Sequence, residues 1–427
     1  MPTGEHHGLR SLLRHIPAAV RRDYATTLVV QWFVLGTGLY LFHLVAQRGS
    51  VDGFAYYQIA RSTVSTFGPV LLLGLGVGLQ RYLPQTEHTT RLLARHALYT
   101  EVAVVTVVGL AGVGAGHWIA ALLGLPGGRP AVAAIMIMLG GNCLCAIGLS
   151  ALRGNHQVVD SNLVSGVGLG LIPLIAFATA DGIEDFLIVQ GLGTAAVGAW
   201  GTLVVRRHPT SDLQEQEPTI KTLIAYGVRR MPGEVALQGL FTFPTFAVAV
   251  AIPGGPEAGY VGFATSAVTL ICSFFAMLTP VLMPRLSRLF HRADESPGVR
   301  KLLTVLPMLG GLIATVPTAA ILVSAPVLVH RFLGAEFSSA VPILRLGVLA
   351  AIPLAVFYAG RPAMDVLLEP KFVSRMLLVC LALEIVVTGI ATVFLAPPDA
   401  VVLGLAAAAT ALGIDAVGLT ARALRKR

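Results

Sequence analysis

Long apolar runs alternate with short polar connections along the whole chain. Twelve runs stand out, at 25–46, 57–79, 98–123, 130–152, 161–180, 185–205, 222–251, 257–283, 302–328, 338–358, 374–396 and 399–420. Each is close to the ~20 apolar residues that a helix needs to cross a bilayer. The second run starts on polar residues (Tyr56, Tyr57, Gln58, Arg61, Ser62, Thr63). The seventh is long and is interrupted by Arg229, Arg230, Pro232 and Pro244, so it reads as a surface helix leading into a kinked span. The pattern predicts an all-α integral membrane protein with about twelve transmembrane helices. Residues 25–205 form one six-helix lobe, 206–221 a linker and 222–420 a second lobe. A basic segment, 1–24, precedes them and a basic tail, 421–427, follows. In the first segment Leu9, Leu12, Leu13 and Ile16 recur at helical spacing between arginines, as in an amphipathic helix on the inner leaflet or in a disordered tail.

Charge tests the count. With the N-terminus inside, one set of connections holds Arg81, Arg91, Arg95, Arg153, Arg206, Arg207, Lys221, Arg285, Arg288, Arg361, Lys371 and Arg375, besides both basic ends. The other set holds only Arg48, Arg129 and Arg331, and includes the acidic Asp181, Glu184 and Asp185. Missing one span would reverse every later assignment, so the alternation supports twelve spans with both termini cytoplasmic. The external connections are too short for a folded catalytic domain.

Composition agrees. Of the 427 residues 55% are hydrophobic and 12% charged, and mean hydropathy is +0.78; soluble domains carry ~25% charged residues. The +8 net charge marks cytoplasmic loops rather than nucleic-acid binding. Cys143, Cys145, Cys272 and Cys380 all lie in apolar runs and read as small core residues, not as disulfides or a zinc site. No catalytic constellation, nucleotide loop or metal-spaced cluster emerges, and no cofactor is implied. Gly76-x-Gly78 reads as membrane packing.

The two lobes resemble each other. At an offset of 204 positions Tyr56, Ala60, Ser62, Val64, Val77 and Arg81 match Tyr260, Ala264, Ser266, Val268, Val281 and Arg285. At an offset of 208, Ala151-x-Arg153 matches Ala359-x-Arg361. Six spans per repeat is an even number, so the repeats lie parallel, about a pseudo-two-fold axis along the membrane normal.

Ionisable residues at membrane depth are costly and mark cavities or partners. The candidates are Arg61, Glu101, Arg229, Arg230, Glu234, Arg345, Glu384 and Asp415. Glu101, Arg345 and Asp415 are read as span-end residues that snorkel. Gln58, Arg61 and Ser65 share a helix face, as expected of a cavity lining. Glu234 lies one turn beyond Arg230, so the two are expected to pair. The alternative for Arg229 and Arg230 is an interfacial helix resting on lipid phosphates.

The stretch 56–84 ending LGVGLQRYLP, AYGVRRMPGEVALQGL at 225–240, AGYVGFATSAVTL followed by PVLMPRLSRLF, and RFLGAEFSSAVPILRLGVLAAIPLAVFYAGRPAMDV at 331–366 together resemble polysaccharide-repeat (Wzx-type) flippases. These belong to the multidrug/oligosaccharidyl-lipid/polysaccharide (MOP) exporter superfamily. The resemblance implies a V-shaped transporter of the bacterial inner membrane, not an enzyme. Its cargo would be an oligosaccharide on undecaprenyl pyrophosphate, flipped by alternating access, with glycan polymerases or glycosyltransferases as partners in the bilayer. Arg61, Arg229, Arg230 and Glu234 would form the substrate site. The chain departs from fourteen-helix lipid II flippases by two spans. A cation-coupled multidrug exporter, a membrane-embedded glycan-modifying enzyme and a cell-wall scaffold are the alternatives.

Overall fold

The computed structural model describes residues 18–85, 90–206, 218–276, 297–368 and 370–425. The amphipathic stretch before residue 18, most of the 206–221 linker, and Val281 and Arg285 of the repeat lie outside them. Among the described residues the chain is helical, as a lipid-embedded backbone must be when no water can satisfy its polar groups.

In the first half α1 is Ala18–Arg48, α2 Val51–Leu71, α3 Leu75–Tyr82, α4 Thr90–Gly114, α5 Gly116–Leu123 and α6 Gly128–Gly154. Next come α7, Val158–Thr179, which contains a π-helical stretch at Gly166–Leu171, and α8, Ile183–Leu203. In the second half α9 is Ile220–Val228, α10 Met231–Ala251, α11 Glu257–Ala276 and α12 Pro297–Leu328. The remainder are α13, Ala340–Val348; α14, Ala351–Leu367; α15, Pro370–Ala391; and α16, Pro397–Arg425. Eleven segments are long and apolar enough to cross a membrane, and the bent pair α2–α3 makes a twelfth. Exposed Trp118, Leu110, Val323 and Phe394 lie on the lipid-facing outside.

The polar second span is a broken one. After Leu71 the chain passes Leu73 and Gly74 at φ 47° and 71°, and α3 leaves at 54° to α2. A left-handed residue cannot continue an α-helix. The seventh run divides as expected, into α9, N-capped by Thr219, and α10, with Pro244 in its interior.

Small residues let the helices approach. In α6 Gly141 and Gly148 lie against the backbone of Gly191 and Gly198 in α8, two contacts seven residues apart on both helices. Between the halves, α2 packs on α11. A methyl on Gly259 would lie 3.0 Å from Ala55 Cα, and one on Gly262 would lie 2.9 Å from Gln58 Cβ. Both pairs are 204 positions apart, so positions equivalent in the repeat touch each other. Self-contact of that kind is what a two-fold axis between α2 and α11 requires.

One end of this seam is filled by aromatic rings from both halves. Phe54 meets Phe337 at 5.3 Å and Phe263 at 6.4 Å, Phe42 meets Phe263 at 6.4 Å, and Tyr260 meets Phe337 at 6.2 Å. The opposite end carries Arg81, Arg153, Arg206, Lys221 and Arg230 and is the basic end of the bundle.

Candidate central cavity

Between the halves lies a cavity of about 610 Å³. α1, α2, α6, α7 and α8 wall it on one side, α10 and α11 on the other. On α6 its lining runs from Met138 to Arg153, a rise of about 22 Å at helical pitch. It therefore reaches from the aromatic seal, through Phe42 and Tyr57, to the basic end.

Arg61 sits near the sealed end. Its Nη1 donates to Gln58 Oε1 at 3.5 Å and to Ser266 Oγ at 3.3 Å, across the seam. Its guanidinium carbon lies 4.4 Å from the Phe42 ring centroid and 6.0 Å from that of Tyr57. The charge is thus held by ring faces and neutral oxygens, with no carboxylate paired to it among the described residues. Beside it Gln58 is 1% exposed, and its Nε2 has no partner among the described residues. Thr66 and Thr242 share a hydrogen bond of 2.6 Å between the halves. Arg153 enters the lining in the last turn of α6, where the helix dipole favours a cation.

Among the described residues Arg61 and Arg153 are the charged residues of this lining; the other polar positions are Gln, Asn, Ser, Thr and Tyr, with no Asp or Glu. The sequence pattern singles out Arg61 but marks Arg153 only as a topology signal and a repeat anchor. Nothing in the pattern showed that the exposed end of α6 turns toward the seam.

The structure separates the other sequence candidates from the cavity. Arg229 is exposed at the end of α9, and Arg230 donates to Tyr226 Oη at 3.1 Å. Neither lines the cavity, nor does Glu234. Glu234 does not pair with Arg230 either. It accepts from Arg361 Nη2 at 3.0 Å, and Arg361 also approaches Asp365 at 3.8 Å. The reason is geometric: Arg230 precedes α10 and caps it, so its side chain points back along α9, while α14 brings Arg361 onto Glu234. Glu101 is fully buried inside the first half, beside Cys143, and Glu384 is fully buried inside the second, without a hydrogen-bond partner among the described residues. Glu101 is therefore a core residue and not a snorkelling one. Arg345 donates to Leu322 O at 3.1 Å from an exposed position, and Asp415 is exposed. The four cysteines are buried and free.

No protein-family model matches the chain, and no curated protein sequence does. Solved structures share its fold. An inward-facing MATE-family multidrug resistance transporter of the MOP superfamily aligns over 94% of this chain and 99% of its own, with TM-score 0.65 and 17% identity. The lipid II flippase MurJ, in an inward closed conformation, aligns over 93% and 87%, with TM-score 0.68 and 14% identity. A MOP-superfamily transporter from Pyrococcus furiosus, described as having a binding pocket of reversed polarity, aligns over 96% of both chains, with TM-score 0.58 and 14% identity. The chain has the two-lobed fold of these transporters.

Proposed function

We propose that the protein flips an anionic lipid-linked oligosaccharide, carried on polyprenyl pyrophosphate, across a bacterial inner membrane by alternating access. The basic end would face the cytoplasm. The observation that carries this reading is the charge of the cavity: two arginines and no carboxylate in its lining among the described residues. Arginine binds phosphate through paired N–H donors, and a buried guanidinium without a counter-ion gains most from an arriving anion. The remaining Gln, Asn, Ser and Thr side chains suit sugar hydroxyls. The halves meet closely where Gly259 and Gly262 of α11 face Ala55 and Gln58 of α2, and alternating access would turn about that contact.

The multidrug alternative shares the fold but fits the cavity less well. A cationic drug would enter a site of charge +2, at an electrostatic cost that no acidic residue in the lining offsets. The test is a flipping assay in proteoliposomes. A fluorescent sugar on polyprenyl pyrophosphate should become accessible on the opposite leaflet only when the protein is present, while a cationic dye should not be moved. Dye transport without lipid flipping would overturn the reading.

A further inference from the structure

The basic end holds a second pair of arginines, outside the cavity. Arg81 lies in the last turn of α3, in the first half, and Arg230 follows α9, in the second. Both donate from Nη1 to the same oxygen, Tyr226 Oη, each at 3.1 Å. Their guanidinium carbons lie 4.7 and 6.0 Å from the Tyr226 ring centroid, and Tyr82 meets that ring edge-on at 5.7 Å. Burial pushes the Tyr226 phenol up, but the hydrogen bonds from the two arginines outweigh it and hold the group below the usual tyrosine value.

One phenol oxygen cannot satisfy the donors of two guanidinium groups. Among the described residues no carboxylate forms an ion pair with Arg81, Arg229 or Arg230, and nearby Glu234 is taken by Arg361. Two like charges thus converge on one oxygen, and among the described residues neither forms an ion pair, although Asp365 lies within the field of Arg230. The platform beneath is close-packed: Gly74 and Gly227 are in backbone contact, and a methyl on Gly78 would lie 2.9 Å from Leu223 Cβ. The depth matters as well. α9 is not a membrane span but leads directly into one, and α3 ends one. The pair therefore stands where spans meet the membrane surface, at the level of lipid headgroups.

We infer that Arg81 and Arg230 form a site for a phosphate group, carried by an anionic lipid headgroup, which neutralises the pair and clamps the two halves together at the basic end. Arginine is suited to this because its fork matches phosphate oxygens, and each arginine here comes from a different half. The site does not depend on what the cavity carries.

Native mass spectrometry of the delipidated full-length protein, titrated with phosphatidylglycerol, phosphatidylcholine or inorganic phosphate, tests this. The first phosphatidylglycerol should bind about tenfold more tightly than phosphatidylcholine, whose phosphate is already compensated by its own choline cation. Arg81→Gln with Arg230→Gln should remove the preference. Arg375→Gln, an exposed arginine elsewhere at the same end, should keep it, and so should Arg81→Lys. Displacement of the lipid by millimolar inorganic phosphate would support the phosphate site and assign it to a soluble ion. Equal binding of the two lipids by the wild type, or an unchanged preference in the double variant, would overturn the proposal.

Discussion

Two arginines, Arg61 and Arg361, sit on membrane-embedded helices of opposite halves, and they are compensated in opposite ways. Arg361 is held between Glu234 at 3.0 Å and Asp365 at 3.8 Å, so its charge is cancelled within the protein. Arg61 touches the rings of Phe42 and Tyr57, a glutamine and a serine, and keeps its charge. Both pay desolvation. Only the first recovers it from a fixed carboxylate; the second is left to recover it from whatever enters the cavity. Under the proposed function, an intramembrane arginine serves the cargo only when its counter-charge is missing. Position in a span does not decide this; the neighbours do.

The comparison can be broken at either arginine. The largest effect is expected from Arg61→Ala, which should lower flipping of a pyrophosphate-linked sugar by about a hundredfold, the loss of two charge-assisted hydrogen bonds at ~1.5 kcal/mol each. The protein should still insert and elute as the wild type does on size-exclusion chromatography. Arg61→Lys keeps the charge but loses the fork, and should recover part of the rate. If Arg61→Ala flips normally, the cavity charge has no role in transport.

Arg361→Ala should act on stability instead. It leaves Glu234 and Asp365 facing each other without their cation, at a cost of about 2 kcal/mol for a partly buried pair. A lower midpoint in a thermal-shift assay is expected, with the transport rate per folded molecule kept within a few-fold. A large transport loss at unchanged stability would place Arg361 with the cargo site. Arg153→Ala is expected to have the smallest effect, a few-fold fall in flipping, because this exposed cation is screened and serves entry more than binding.

The fold was largely legible from the sequence because its signal is long and redundant. Twenty-residue apolar runs and the arginine alternation each specify the spans. The offset-204 repeat pointed to the axis on which Ala55 meets Gly259 and Gln58 meets Gly262. The site was legible only in part. Arg61 could be found because Gln58 and Ser65 share its face, a local property of one helix. The partner of Glu234 could not: helical spacing offers Arg230, whereas Arg361 lies 127 positions away and arrives by packing of α14. The break at Leu73 and Gly74 was not legible, since the polar residues of the second span lie at its other end. The left-handed pair itself follows from backbone contact with Gly227, which no local pattern encodes.

Topology offers an independent check. Asp181→Cys, in the acidic connection, should react with an impermeant maleimide added to intact cells, and Lys221→Cys on α9 should not. The reverse pattern would invert the proposed direction of transport.

The central claim is that the cavity recognises the cargo by its negative charge, through Arg61. Equilibrium binding of a polyprenyl pyrophosphate and of the matching polyprenyl alcohol, measured on the purified wild type and on Arg61→Ala, tests it most directly. The account predicts that the wild type prefers the pyrophosphate by about a hundredfold, and that Arg61→Ala binds the two nearly alike. Equal affinity of the wild type for the charged and the uncharged lipid would contradict it.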